Sequence, residues 1–241
     1  MTIWYVTTGI SLWESSRCWT LKGRINGVLQ AADDRSEKEL SADNSTGPAL
    51  LAQWAAARRV IKNSLEAANA ADMANTATTL VKENFRPECW SPDRLKALPA
   101  ELATLWGLFD QGKITGQDHI TLIQGDSNKT VAFMLQAMLV TLVPAFKGRI
   151  GILGPYGLDP LVQDVFHGGV ESMWSAIFFN AEAPPCAFVL TGGYKALLIA
   201  IARRAPAGTA LYYSHETDPA KLIQLTADEQ GQFTVNVFRP S

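Results

Sequence analysis

The sequence predicts an α/β fold: a Rossmann-like, mainly parallel sheet with helices on both faces, a helical insertion after the first strand and a C-terminal β-hairpin. Three observations carry this. Short apolar runs rich in β-branched and aromatic residues recur at Thr2–Thr7, His119–Gln124, Arg149–Leu153, Cys186–Leu190 and Thr209–Ser214, separated by helical stretches. The connections between them are too long for hairpins, which implies parallel strands joined by crossovers. The turns after the first, second and fourth runs contain glycine, and parallel strands bring all three to one carboxyl edge, where ligands sit in such sheets.

The first strand, TIWYVT, passes into Thr7-Thr8-Gly9-Ile10-Ser11-Leu12, a glycine turn followed by helix. Ser11 suits either the cap of that helix or a ligand contact. Trp13 and Trp19 suit packing, or stacking on a base. Asp33–Gly47 is polar and without period, an exposed loop. Pro48 to Gly112 reads as helical throughout. Leu50–Val60 and Leu65–Phe85 come first, then a link punctuated by Pro87, Pro92 and Pro99, then Glu101–Phe109. This insertion reads as cover or dimer contact, without recognisable chemistry.

HITLIQ is the second strand, Gly125-Asp126-Ser127-Asn128 its turn, and Lys129–Val143 an apolar helix. Asp126 suits the cap of that helix before any catalytic role. The third strand, Arg149–Leu153, is broken by Gly154-Pro155-Tyr156-Gly157, and Asp159–Phe178 follows as helix, weakened at Gly168-Gly169. Leu222–Thr226 and Phe233–Phe238 flank Asp228-Glu229-Gln230-Gly231 as a terminal hairpin. The chain reads as one domain, with the insertion at about 48–112 and the hairpin at about 220–239.

The stretch CAFVLTGGYKALLIAIARR, Cys186 to Arg204, is the centre of this arrangement. A buried strand ends in Thr191-Gly192-Gly193, and a helix starts at Tyr194 with Lys195 in its first turn. Paired glycines let a bound group approach the backbone, the helix start offers unpaired N–H groups, and the lysine adds a full positive charge. Together they make a phosphate seat; close packing of the glycine pair is the other reading. Neither GxGxxG nor GxxxxGK[ST] occurs.

Bulk properties narrow the ligand. The 241 residues are 47% hydrophobic and 18% charged, the balance of an ordinary globular chain. A net charge of −2 supplies no global field for long nucleic acid, so an anionic ligand needs a local pocket. Cys18, Cys89 and Cys186 are odd in number and without CxxC, which argues against a disulfide framework or a zinc site and for a reducing cytoplasm. His119, His167 and His215 are scattered. No signal peptide is read at the N-terminus. Val131–Val143, the most apolar helix, is shorter than the roughly 20 residues a membrane span needs.

These turns, in this order, resemble the CRISPR-associated Rossmann fold (CARF) family, and most closely its stand-alone ring nuclease branch. The family's T-x-G-x-S-L turn is matched by Thr7 to Leu12, with Ile10 where the family more often has a small polar residue. Its TGG-aromatic-K turn is matched by Thr191-Gly192-Gly193-Tyr194-Lys195. Gly125-Asp126-Ser127, Gly157-Leu158-Asp159 leading to Phe166 and Gly169, and the tyrosine strand ending at Glu216 are also similar. The resemblance covers the first strand and most of the chain from about His119; the Pro48–Gly112 helices lie outside it.

The resemblance implies binding of cyclic oligoadenylate, with cyclic tetraadenylate the usual ring, in a pocket shared by a symmetric homodimer. It implies Thr8, Gly9, Ile10, Leu12, Trp13, Gly125, Asp126, Ser127, Thr191, Gly192, Gly193 and Tyr194 as ligand contacts, and Ser11 and Lys195 as catalytic. The expected reaction is attack of an adenosine 2′-OH on the adjacent phosphate, without metal or other cofactor, leaving a 2′,3′-cyclic phosphate. Neither a membrane nor a long nucleic acid is an expected partner. A sensor or sponge acting through a partner protein is the alternative, and a nucleotide- or sugar-phosphate enzyme on a generic sheet the third.

Overall fold

A computed structural model describes residues 1–9, 24–25, 28–29, 42, 44–45, 47–69, 71–84, 100–126, 129–159, 161–178, 186–191, 195–215, 218–230 and 232–238. Its centre is a seven-stranded sheet made of β1 (Ile3–Thr7), β4 (His119–Gly125), β5 (Ile150–Tyr156), β6 (Cys186–Val189), β7 (Ala210–His215), β8 (Asp218–Ala227) and β9 (Phe233–Phe238). The spatial order is β5-β4-β1-β6-β7-β8-β9. The first five of these are parallel, and β8 and β9 close the sheet as an antiparallel pair. The α/β class, the mainly parallel sheet and the terminal hairpin are as the sequence predicts.

Around the sheet lie α1 (Gly47–Ala67), α2 (Met73–Asn84), α3 (Ala100–Asp110), α4 (Lys129–Leu142), α5 (Gln163–Phe178) and α6 (Lys195–Ala202). Alternation along the central strands explains how both faces are buried. In β1, Trp4 and Val6 join a core with Ile61 and Leu65 of α1, Val81 of α2, Leu102, Leu105 and Leu108 of α3, and Met134 and Met138 of α4. Tyr5 points the other way, into a core with Val170, Met173 and Ile177 of α5 and Leu197 and Ile201 of α6. Helices that precede β5 therefore cover one face, and those that follow it cover the other. Phe188 of β6, fully buried, stacks on Trp174 of α5 at 6.1 Å and on Tyr5 at 5.4 Å, which ties α5 to the two central strands. No helix among the described residues is long and apolar enough to cross a membrane.

Several boundaries differ from expectation, each for a local reason. The third strand is not broken at Gly154; it continues through Pro155 to Tyr156, with a register shift between Ile123 and Gly125 on its neighbour. β5 is an edge strand, so a residue without an N–H costs no ladder bond on its free side. The helix expected from Asp159 starts at Gln163. Pro160 disfavours helical backbone at Asp159, whose Oδ1 instead accepts the amide of Leu161 at 2.9 Å. In the insertion the first helix runs on to Ala67, and Asn69 makes the break: its Oδ1 accepts the amides of Ala71 and Asp72, both at 3.0 Å, ahead of α2. A small ladder, β2 (Arg24–Ile25) with β3 (Val28–Leu29), stands in the stretch after β1. The sequence reading missed it, although Asn26-Gly27 is a strong hairpin dipeptide.

Candidate active site at the sheet's switch point

Counted along the sheet's own strands, the spatial order is 3-2-1-4-5-6-7. The chain winds outward from β1 through β4 to β5, then returns to the other side of β1 with β6. The strand order reverses between β1 and β6, the position at whose carboxyl ends ligands sit in sheets of this kind. The two turns that the sequence singles out, after β1 and after β6, flank this point.

The strands pair up to Val6 with Val189. Just beyond, the hydroxyl of Thr7 donates to the carbonyl of Val189 at 3.3 Å. Thr8 is buried, and both its donors go to one acceptor: the amide reaches the Ile123 carbonyl at 3.2 Å and the hydroxyl at 2.7 Å. On the other side, the amide of Leu190 donates to Tyr212 at 2.8 Å and Thr191 follows, half-buried. Lys195 is the first residue of α6 and so lies in its first turn, as the sequence predicts; the start expected at Tyr194 lies outside the described residues.

Beneath both turns lies the start of α3. Glu101 is fully buried, and its Oε1 accepts the Gly9 amide at 2.7 Å. Thr104, one turn on and also fully buried, has its hydroxyl 2.8 Å from that of Thr191. The Thr104 hydroxyl already donates to Ala100 at 2.8 Å, and a hydroxyl has one proton. Thr191 is therefore the donor of that pair. The insertion thus reaches the switch point with two buried polar residues, where the sequence reading expected no chemistry from it. Glu101 in the first turn of a helix looks like an ordinary response to the helix dipole, and only the sheet order shows what it faces.

Gly125 ends β4 and is buried; Asp126 beside it is exposed. A Cβ added at Gly125 would sit 3.8 Å from the Leu158 Cβ and 3.9 Å from the Tyr156 carbonyl, both ordinary contacts. Among the described residues, packing therefore does not demand glycine there. His215 ends β7 on the same edge, a placement that the scattered histidines of the sequence did not suggest. Cys186 starts β6 at the opposite edge, and burial pushes its thiol up. Ile10, Ser11, Leu12, Trp13, Ser127, Gly192, Gly193 and Tyr194 lie outside the described residues. Among the described residues no group of three or more His, Cys, Asp or Glu could hold a metal ion.

No protein-family model matches the chain, and no curated protein matches it.

Proposed function

We propose that the protein binds a cyclic oligoadenylate, cyclic tetraadenylate in the first instance, in a pocket shared by two copies in the cytoplasm, and cleaves it to linear adenylates that end in a 2′,3′-cyclic phosphate. The observation that carries this reading is the position of the two motif turns. Thr8-Gly9 and Thr191 end the adjacent strands β1 and β6, on the two sides of the switch point, with α6 starting at Lys195.

Within this reading the two turns divide the work. The Gly9 amide is engaged by Glu101, so it is not a free donor for phosphate. The phosphoryl oxygens then belong to the β6 side, where the start of α6 and Lys195 offer positive charge, and the ribose belongs to the Ser11 side. The 2′-oxygen attacks phosphorus, the bond from phosphorus to the 5′-oxygen breaks, and the proton lost from the 2′-OH is balanced by one gained at the 5′-oxygen. Alignment of these three atoms and stabilisation of the phosphoryl charge supply the rate.

The test is chromatography of cyclic tetraadenylate incubated with the protein in EDTA. The expected result is linear product with a cyclic phosphate end. Ring that is bound but returned intact assigns the protein to the sensor class, and ring that is neither bound nor cut removes the proposal.

A further inference from the structure

We propose that α3 is the positioning element of this site, with Glu101 and Thr104 as positioning residues that fix the turns after β1 and β6 relative to one another. The proposal rests on the function proposed above. Residues three apart on a helix share a face, and these two accept hydrogen bonds from opposite sides of the switch point: Glu101 from the Gly9 amide at 2.7 Å, and Thr104 from the Thr191 hydroxyl at 2.8 Å. The ladder between β1 and β6 ends at Val6 and Val189. Beyond it the Thr7 hydroxyl still reaches the Val189 carbonyl at 3.3 Å, and α3 bonds to Gly9 on one side and to Thr191 on the other.

The helix is well seated for this task. It packs on β6, β7 and β8, and Leu102, Leu105 and Leu108 hold it in the core. A Cβ at Gly107 would lie only 3.1 Å from Leu222 of β8, so the helix backbone rides close to the sheet. Burying a carboxylate and a hydroxyl in such a place is costly unless each has a partner. Each has a partner in a motif turn. Alignment errors of about 1 Å cost on the order of 100-fold in rate, so loosening either tie acts on turnover more than on affinity.

Thr104→Val keeps the shape and removes the acceptor of the Thr191 hydroxyl; Thr104→Ser keeps the hydroxyl. With cyclic tetraadenylate, Thr104→Val is expected to lower kcat by about tenfold or more while the ring Kd stays within about threefold. Thr104→Ser is expected to restore kcat. Glu101→Gln retains an acceptor for Gly9, whereas Glu101→Leu removes it, so exchange of the Gly9 amide should remain slow in the first and become fast in the second. Wild-type kcat in Thr104→Val, or kcat lost in step with thermal stability and not rescued by serine, overturns the proposal. So does unchanged Gly9 exchange in Glu101→Leu. The exchange arm needs no ligand: if wild-type protein ignores the ring, the functional reading fails while the bracing role is still decided.

Discussion

Gly169 of α5 passes so close to the carbonyl of Gly157 that a Cβ on Gly169 would overlap it. Among the described residues nothing lies within 4 Å of where a Cβ on its neighbour Gly168 would go. The pair that reads in sequence as a weak point in the helix therefore contains two residues with opposite roles. Gly169 permits α5 to lie against the chain leaving β5, and Gly168 only lowers helix propensity. Gly169→Ala should destabilise by about 1–3 kcal/mol, the usual cost of overpacking. Gly168→Ala should be neutral or stabilise by up to about 1 kcal/mol. Urea unfolding of the two variants checks this, and equal effects would contradict the geometry.

Asp118 ties the start of β4 to the start of β1. It is 6% exposed, with Oδ1 accepting the Thr2 amide at 2.7 Å and Oδ2 accepting the Thr115 amide at 2.9 Å. Burial pushes its carboxyl up, but those amides and the Thr115 hydroxyl outweigh it and hold the group below the ordinary aspartate range. A carboxyl lowered on folding adds stability that is fully present above its unfolded pKa, about 3.9, and is lost as pH falls through the folded value. Asp118→Asn should therefore be less stable than wild type at pH 7, and the difference should shrink below about pH 4. Denaturation midpoints across pH 2–7 measure it; a gap that stays constant through the acid range would show that the charge does not matter.

Much of the fold was legible because its determinants are local. The two-faced apolar runs TIWYVT and HITLIQ declare buried parallel strands, and turns that follow parallel strands must share an edge. The exceptions have two physical sources. Pro155 and the Glu101 pair depend on strand order: proline is tolerated because β5 turns out to be an edge, and Glu101 meets Gly9 across 92 residues of chain. Thr104 and Thr191, 87 residues apart, are equally silent in sequence. The late start of α5 is different, since Asp159-Pro160 states it locally and a stricter reading of the residue before proline would have found it. At the site, the β1 and β6 turns were singled out as motifs and the helix over Glu101–Phe109 was legible as a helix, but its contacts with both turns were not.

Gly125 offers a separation of ligand from fold. Its surroundings accept a methyl group at ordinary contact distances, so Gly125→Ala should leave the unfolding midpoint within about 0.5 kcal/mol of wild type. If the ring's backbone approaches the end of β4, that same methyl should weaken binding of cyclic tetraadenylate by about tenfold, which is about 1.4 kcal/mol. Titration calorimetry alongside urea unfolding reads both quantities. Wild-type affinity in the variant would remove Gly125 from the set of ligand contacts.

Lys195 is the most direct test of the proposed chemistry. It opens α6 directly after the TGG-aromatic stretch, so a cation and the helix's N-terminal amides share one position in the chain. The amides bind anion in the ground state and need no side chain. The ammonium is the group whose interaction grows as charge builds on the phosphoryl oxygens, so its removal should act on kcat more than on affinity. Lys195→Ala should lower ring turnover by about 100-fold and weaken binding by less than about tenfold, and Lys195→Arg should recover part of the loss, because a planar guanidinium carries the charge with different geometry. Initial rates at saturating and limiting ring separate the two effects. Undiminished turnover in Lys195→Ala would move the charge-stabilising role to another group and take the catalytic assignment of the β6 turn with it.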